Sequence, residues 1–498
     1  MNVNPITRLD YPDPDVIRVE DTYYMVSTTM HFMPGCEILQ SFDLVHWEHA
    51  TYVYETLDHT DAQQLKSGQN IYGQGMWAAS LRYHEGRFYI CFVANDTRKT
   101  YLYTSEKIDG PWKKQLIEGF YHDGSLLFDE DGRNYIVYGN DEIWITELNE
   151  DLTAPKKDGL HRLLVSDHKN PELGYEGSHI QKINGYYYIF LIHSLRDRWM
   201  RTEACFYSDS LEGEFTGGDV LCDDRGYCGQ GVAQGGIVDT PDGKWYAMLF
   251  QDSGAVGRIP ILLPVTWKDH FPVFGQNGHV PEEIEVHSTR PGYIYQPLVG
   301  SDDFCNGLLP RWQFNHDPDP RYYHLDALQG TYTITTREVC TELTQAVNTL
   351  TQRMSYPSCA AEVTVDASAL KEGDVAGLCA LQGCYAAVGI TKHHGKYEVL
   401  MLDKKEDGIL DMTERTVVES HQMDFRLEAD FCNMKDEARC YYRVNKGDWL
   451  PIGTVHKLYF KLDHFTGCRF GLFCYAAEET GGSACFRDFK YYDVDEIS

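Results

Sequence analysis

The sequence contains no long apolar run. No stretch of the 498 residues approaches the roughly 18 apolar residues that a membrane-spanning helix requires, and the N-terminal segment MNVNPITRLDYPDPD lacks the apolar core of a signal peptide. Positive charge is also scarce: 44 Lys and Arg stand against 75 Asp and Glu, a formal net charge of -31. A field of that sign repels nucleic acid and anionic lipid but leaves a neutral substrate unaffected. We therefore expect no nucleic-acid partner and no membrane partner.

Cysteine patterns that build disulfide frameworks or metal sites are missing too. The 15 cysteines are odd in number and include no CxxC pair, which favours reduced, mostly buried thiols and a cytoplasmic protein. The sequence has no P-loop, no Rossmann fingerprint after a strand and no G-x-S-x-G motif.

Long helical patterns are few, whereas aromatic residues make up 13% of the chain. Short alternating strands separated by Gly, Asp and Asn turns predict an all-β fold. One unit recurs: a short strand, a polar turn, then a strand that opens on aromatic residues. Its five copies begin at Val16, Ser80, Leu126, His179 and Ile237, and their turns are 46 to 65 residues apart. This spacing suits one four-stranded blade per copy and predicts a five-bladed β-propeller; five unrelated hairpins in a sandwich are the alternative.

The repeat also divides the chain. It stops near Thr289, so we assign residues 1–297 to the propeller. Short strands and turns over residues 298–498 predict a second domain, a β-sandwich. A free-standing carbohydrate-binding module is the alternative for this domain.

The register of the repeat predicts a site. Counting back 11 or 12 residues from the aromatic that opens each second strand gives Asp13, Trp77, Asp123, Glu176 and Gln234. Equivalent positions in a propeller lie on one ring around the axis, so these side chains should converge. Each carboxylate alone would be an ordinary turn or loop residue. Carboxylates that meet in a cleft are unfavourable on structural grounds, however, which favours a catalytic role.

Six segments of the first domain, taken in chain order, together resemble one known enzyme family. They are YPDPDVIRVEDTYYMVSTTMHFMPG, GQGMWAASLRYHEGRFYI, FYHDGSLLFDEDGRNYIVYG, YEGSHIQKINGYYYIF, GQGVAQGGIVDTPDGKWYAMLFQD and GRIPILLPVTW. They resemble glycoside hydrolase family 43. The later segments SDDFCNGLLPRWQFNHDPDPRYYHL and NTLTQRM resemble the β-sandwich of its xylosidase and arabinofuranosidase branch. The resemblance covers nearly the whole chain.

The resemblance implies an inverting glycosidase with three carboxylates. Asp13, in the PDP turn, would be the general base, and Glu176, in the EGSH segment, the general acid. Asp123 would orient the acid and keep it protonated near neutral pH. Inverting hydrolysis needs an acid and a base about 6.5–9.5 Å apart, so that a water fits between them. A retaining fructosidase-type propeller, with carboxylates about 5–5.5 Å apart, and a catalytically weak sugar-binding propeller are the alternatives.

Sugar binding requires aromatic side chains on which the ring can stack and polar side chains that can form paired hydrogen bonds with its hydroxyls. We expect Trp77 to stack on a pentose, Phe32 to form the pocket wall, and Arg258 to reach sugar hydroxyls near Glu176. Core packing is the alternative for the aromatics, and a structural ion pair for Arg258. Many family members have a His on the fifth blade that helps hold a central metal ion or water. Here that position is Gln234, whose amide can hold Ca²⁺ or water but cannot titrate. We expect no required cofactor and leave a structural Ca²⁺ open.

The resemblance extends to the substrate. It implies exo-action on a small oligosaccharide, with release of a terminal α-L-arabinofuranosyl unit and β-D-xylosidase activity alongside; a predominant β-D-xylosidase is the alternative. Whether copies of the chain form a homo-oligomer is left open.

Overall fold

The structure, a computed structural model, describes residues 2–493. Met1 and residues 494–498, the ends of the two predicted domain ranges, lie outside the described residues. Helix within residues 2–493 is limited to short 3-10 segments, none long or apolar enough to cross a membrane. These segments are Lys66–Gly68, Gly254–Val256, Leu343–Gln345 and Cys432–Met434.

The N-terminal unit is a five-bladed β-propeller, as predicted. Each blade is an antiparallel sheet of four strands in chain order, except that the innermost strand of blade 5 is split into two pieces and that strand Phe32–Met33, between the second and third strands of blade 1, belongs to another sheet. In chain order the blades comprise Asp15–Val19, Thr22–Val26, Gly35–Ser41 and Glu48–Tyr54; Ser80–His84, Arg87–Ala94, Lys99–Ser105 and Lys113–Ile117; Ser125–Phe128, Asn134–Asn140, Glu142–Leu148 and His161–Ser166; Glu176–Ile183, Tyr186–Ser194, Arg201–Ser208 and Thr216–Leu221; Val232–Ala233 with Ile237–Asp239, Trp245–Asp252, Arg258–Lys268 and Phe271–Phe274. The short strands Asn2–Val3 and Glu283–Ile284 pair with each other.

The five hairpins found in the sequence are the two inner strands of each blade. Four of their turns have a glycine with φ near 80°: Gly86, Gly132, Gly185 and Gly243. No atom lies within 4 Å of the position that a Cβ would take at any of them. The left-handed backbone rather than lack of space therefore favours glycine. The first hairpin has Glu20 at φ 55° instead.

Side chains on the inner strands join the blades. Asp15, Ser80 and Ser125 hold the same position in blades 1, 2 and 3, and each accepts a hydrogen bond from a backbone N–H of the next blade, at 2.7, 3.2 and 3.0 Å. A separate hydrophobic cluster fills each gap between neighbouring blades. The last cluster packs Val16 of blade 1 against Tyr246 of blade 5, which closes the ring.

The C-terminal unit is a β-sandwich of two antiparallel sheets around one large core. One sheet comprises, in spatial order, Leu410–Val418, Lys396–Lys404, Ala386–His393, Val375–Leu381, Arg469–Tyr475, Leu350–Arg353, Gln313–Asn315 and Phe32–Met33. The other comprises Tyr323–Asp326, Thr331–Thr335, Ser483–Asp493, Ser358–Asp366, Gln422–Asp430, Glu437–Val444 and Leu450–Lys457. The predicted boundary between residues 297 and 298 stays a prediction.

The two units share buried contacts. Strand Phe32–Met33 comes from the propeller and pairs with Gln313–Asn315, so it extends a sheet of the sandwich. Arg353 of the sandwich donates to Glu37 of blade 1 at 2.8 Å and lies 4.0 Å from the ring centroid of Tyr11. Burial raises the pKa of Glu37, but the Arg353 charge and a His49 hydrogen bond outweigh it and lower that pKa to about 2.

Three buried histidines, His31, His316 and His464, meet in the same interface, and we call them the interface histidines. The ring of His31 lies 4.8 Å from that of His316 and 5.9 Å from that of His464. Tyr72 stacks on His464 at 3.9 Å. Burial lowers the pKa values of all three, and neighbouring positive charge adds to this for His31 and His316; the pKa of His464 falls to about 4.

Candidate active site

Asp13 lies in the turn before the inner strand of blade 1. It is buried, and its two carboxylate oxygens have different partners: Oδ1 accepts from Arg258 Nη1 at 2.8 Å, and Oδ2 accepts from Thr28 Oγ1 at 2.6 Å. Arg258 begins the third strand of blade 5, next to blade 1 in the closed ring. These bonds fix the orientation of the predicted base, because a carboxylate accepts strongly from charged and hydroxyl donors.

Asp123 lies in the corresponding turn of blade 3. Its Oδ2 accepts from the backbone N–H of Gly177 at 3.0 Å, which ties it to blade 4. Burial raises the pKa of Asp123 to about 6; the charge of His122 opposes this shift, and Glu176 and Asp13 add to it. The three predicted carboxylates therefore lie within electrostatic range of one another.

Glu176 begins the inner strand of blade 4 and is partly exposed to the cavity described below. Its Oε2 accepts from Asn140 Nδ2 at 2.8 Å. His122 Nε2 lies 3.5 Å from Oε2 of Glu176 and 3.5 Å from Oδ2 of Asp123. Burial lowers the pKa of His122, but these acidic neighbours outweigh it and raise that pKa to about 9. An imidazolium consequently lies between the predicted acid and the predicted orienting carboxylate at neutral pH.

Three of the five predicted ring residues share one backbone position, and they are Asp13, Asp123 and Gln234. In each of these blades, the aromatic residue that opens the second strand pairs with a residue of the inner strand, and the ring residue lies four positions before that partner. The φ angles of the three ring residues are 53°, 48° and 60°. Trp77 and Glu176 lie one residue earlier, and in blade 4 Gly177 takes the left-handed position with φ 65°. Three non-glycine residues held left-handed in one ring is a strained arrangement of the kind that collects at functional sites.

A cavity of about 490 Å³ opens beside Trp77 and Glu176. Glu176, Trp77 and His122 line it from the propeller, whereas Phe460 and Phe465 line it from the sandwich. Further lining residues are Asn140, Leu173, Trp199, Arg201, Gln230, Asp252, Gly254, Met434, Lys461 and Leu462. The second domain therefore completes the cavity.

Phe465 of the sandwich packs against Arg258 and Trp77 of the propeller. Its ring lies 4.3 Å from the guanidinium carbon of Arg258 and 5.5 Å from the ring of Trp77. Asp10 holds this arrangement together: one oxygen accepts from the backbone N–H of Arg258 and the other from that of Gly467, both at 2.8 Å. One buried carboxylate thus fixes the Phe465 segment of the sandwich to blade 5.

Of the four predicted binding residues only Trp77 lines the cavity; Arg258, Gln234 and Phe32 lie outside the lining, as do the predicted carboxylates Asp13 and Asp123. Gln234 is buried behind Gly177 and donates its backbone N–H to Glu203 at 2.7 Å. The expectation that Phe32 forms the pocket wall is not met, because the ring is 1% exposed and packs in the core between the units. The guanidinium carbon of Arg469 lies 3.4 Å from its centroid. Pairing of strand Phe32–Met33 with the sandwich turns this side chain away from the site.

The propeller axis does not fit the structural Ca²⁺ that the sequence analysis left open. Arg82 reaches from blade 2 across the axis, and all five of its N–H groups have acceptors at 2.6–3.1 Å. These are the side chains of Asp15 and Ser125 and the carbonyls of Leu81, Leu126 and Ile180. Calcium needs six to eight oxygen ligands, but these oxygens already accept from a cation that belongs to the chain.

A second grouping has metal-ligand spacing. Donor atoms of His122, Asp123 and Glu176 lie within 4.8 Å of one another. A ligating histidine must be neutral. Because the pKa of about 9 favours a protonated His122 at neutral pH, an ion bound here would have to displace that proton.

Sequence reasoning missed His122, Asn140, Arg201 and Phe465. His122 is next to Asp123, and Asn140 ends the second strand of blade 3, so both could have been found by extending the register argument to neighbouring positions. The segment with Phe465 has no relation to the repeat, and no pattern in the sequence signals its docking.

Comparison with known proteins decides the family. Residues 3–272 match the model described as glycosyl hydrolases family 43. This chain belongs to glycosyl hydrolase family 43. Residues 301–492 match the model described as the beta xylosidase C-terminal concanavalin A-like domain. The family assignment makes the protein a glycosidase, as the sequence predicted.

Relatives within family 43 have related names. A protein named beta-xylosidase from Formosa agariphila is 27% identical over 99% of this chain and 89% of its own length. A protein named non-reducing end alpha-L-arabinofuranosidase from Bacteroides ovatus is 26% identical over 66% of this chain and 63% of its own. A solved structure from Bacteroides eggerthii, described as a bifunctional GH43-CE, is 42% identical with a TM-score of 0.92. That match covers 99% of this chain, which spans only 64% of the longer protein.

Proposed function

We propose that this family 43 glycosidase is an inverting exo-hydrolase that releases terminal α-L-arabinofuranosyl or β-D-xylosyl units from hemicellulose-derived oligosaccharides. One observation carries the proposal. Glu176 of blade 4 lines a cavity that the sandwich completes, and Asp13 of blade 1 is held by Arg258, on which the cavity residue Phe465 packs. We infer that this cavity takes the end of a sugar chain. The names of the relatives support the choice of pentosides.

In this mechanism Glu176 is the general acid. Asn140 donates to Oε2, which leaves Oε1 to carry the proton towards the glycosidic oxygen. As the bond between the anomeric carbon and that oxygen breaks, the proton moves to the leaving alcohol.

Asp13 is the general base on the opposite face of the sugar. Arg258 and Thr28 each bind one of its oxygens, so their remaining lone pairs are aimed in a fixed direction. A water held there loses a proton to Asp13 as its oxygen attacks the anomeric carbon, which inverts the configuration. Asp123 and His122 hold the acid in place through their contacts with blade 4 and with Glu176.

A panel of p-nitrophenyl glycosides tests the proposal. We expect cleavage of the α-L-arabinofuranoside and the β-D-xyloside, whereas hexosides should be poor substrates because their hydroxymethyl arm has to fit where a pentose has none. The ratio of the two pentosidase rates decides between an arabinofuranosidase and a predominant xylosidase. Strong hydrolysis of glucosides or galactosides, with inert pentosides, would overturn the substrate class. Sugar binding without hydrolysis of any substrate would overturn the enzymatic proposal.

A further inference from the structure

The outer half of the cavity has features that the proposed reaction does not yet use. Trp199 is a large apolar side chain that is 46% exposed, and it lines the cavity on the side of blade 4. Leu462 of the sandwich is 71% exposed and lines the same cavity. An exposed indole at the mouth of a sugar-binding cavity is a surface on which a sugar ring can stack.

The loop that holds Trp199 is braced. It connects Ser194 to Arg201, the ends of the second and third strands of blade 4. Leu195 donates its backbone N–H to Met200 O at 3.1 Å, and Met200 donates to Ser194 Oγ at 2.8 Å. The indole is therefore presented by a closed hairpin, which reduces the entropy that a ligand would lose in ordering it.

Arg201 provides the second, independent observation. Its side chain is 8% exposed and donates through Nε to Asp252 Oδ2 at 2.5 Å. Its Nη1 and Nη2 groups have no acceptor among residues 2–493. The guanidinium carbon lies 5.3 Å from the rings of both Trp199 and Phe250. Because neither Nη atom is fully enclosed, although the side chain is only 8% exposed, both groups of this guanidinium fork are open to the cavity, where a ligand can supply their acceptors.

The charge around this fork specifies the ligand. Asp252 neutralises Arg201, and Glu176 lies within electrostatic range: burial lowers the pKa of Arg201, but the charges of Asp252 and Glu176 raise it overall. A second carboxylate from a ligand would therefore gain little. Neighbouring hydroxyls of a neutral sugar can accept from both Nη groups while the ring covers the indole.

Resting on the function proposed above, we propose that Trp199 and Arg201 form the binding site for the leaving group, and that this group is a neutral sugar ring. The sugar to be released lies deeper in the cavity, beside Trp77 and Glu176. Glu176, which must reach the oxygen between the two sugars, lies on the same blade as Trp199 and Arg201. The enzyme consequently recognises the sugar that bears the pentose as well as the pentose.

Two substrates with the same pentose test this inference. One is a neutral arabinoxylo-oligosaccharide, and the other is a pentosyl fluoride, whose small leaving group cannot contact Trp199 or Arg201. For Trp199→Ala we expect kcat/KM on the oligosaccharide to fall roughly 10- to 100-fold more than on the fluoride. Arg201→Lys keeps the charge beside Asp252 but loses the fork, so it should raise KM for the oligosaccharide more than it lowers kcat.

Trp144→Ala is the matched control, since this indole is also partly exposed but stacks on His161 in blade 3, away from the cavity lining. The inference would be overturned if Trp199→Ala lost equal activity on both substrates. It would also be overturned if neither Trp199→Ala nor Arg201→Lys differed from Trp144→Ala in its kinetics on the oligosaccharide. A wild-type protein that cleaves neither substrate would instead overturn the proposed function, so the two failures are distinguishable.

Discussion

Phe465 belongs to the sandwich but reaches the active site of the propeller, so replacing it with alanine should lower kcat/KM. The ring covers the Arg258 guanidinium at 4.3 Å and touches the Trp77 ring at 5.5 Å. A partly buried cation–π contact contributes about 1 kcal/mol and an aromatic pair about the same. If these contacts hold Arg258 and Trp77 in the active arrangement, losing both removes about 2 kcal/mol that keeps the site preorganised, which corresponds to roughly a 30-fold fall in kcat/KM.

The assay is hydrolysis of p-nitrophenyl α-L-arabinofuranoside with thermal unfolding measured in parallel. Phe465 is only partly buried, so the midpoint should shift by a few degrees at most. Tyr397→Ala is the control, because that aromatic is also partly buried in the sandwich but packs on its core. Wild-type kcat/KM in the Phe465 variant would refute the reasoning that the sandwich completes the cavity.

Further predictions concern the reaction, the pH dependence and the axis. Asp13→Asn should abolish turnover of every substrate while leaving the fold intact, as circular dichroism can check; Glu176→Gln should lose far less activity on p-nitrophenyl substrates than on oligosaccharides, because p-nitrophenolate leaves without protonation. Since the pKa values of the interface histidines are lowered on folding, the unfolded chain binds more protons. The contribution of the interface histidines to the free energy of unfolding should therefore be fully present above about pH 6.5 and fall below it by up to about 1.4 kcal/mol per pH unit for each histidine. Urea unfolding between pH 7.5 and 5 measures this slope, and a flat profile would contradict it. EDTA should change neither activity nor the unfolding midpoint, whereas Arg82→Met should lower the midpoint because buried acceptors lose their donor; a chelator-sensitive wild type would contradict the account of the axis.

The repeat made most of the fold and the centre of the site predictable. Five hairpins with shared turn chemistry required five blades, and a common register brought Asp13 and Asp123 to one ring. The register was one residue out for Trp77 and Glu176. The aromatic residue pairs with the residue seven positions back in blades 2 and 4 but eight positions back in blades 3 and 5, which a fixed count along the chain does not reveal.

Contacts between the domains were beyond such reasoning. Phe32 is in a loop of the propeller, and only pairing of its strand with the sandwich explains why it is buried. Phe465 reaches the site from 289 residues beyond Glu176 in the chain, through a turn fixed by Asp10 and by stacking of His464 on Tyr72. The role of Arg201 could not be predicted from the sequence either, because it depends on the Nη1 and Nη2 groups having no acceptor in the folded structure.

The most direct test of the central claim is the configuration of the first sugar released. Proton NMR during the first minutes of hydrolysis, before mutarotation, should show the β-anomer of L-arabinose from an α-L-arabinofuranoside, and α-xylose from a β-D-xyloside. This result follows if Asp13 activates water for direct displacement while Glu176 protonates the leaving oxygen. Initial release of the sugar with retained configuration would require a covalent intermediate and would contradict the roles assigned to both residues.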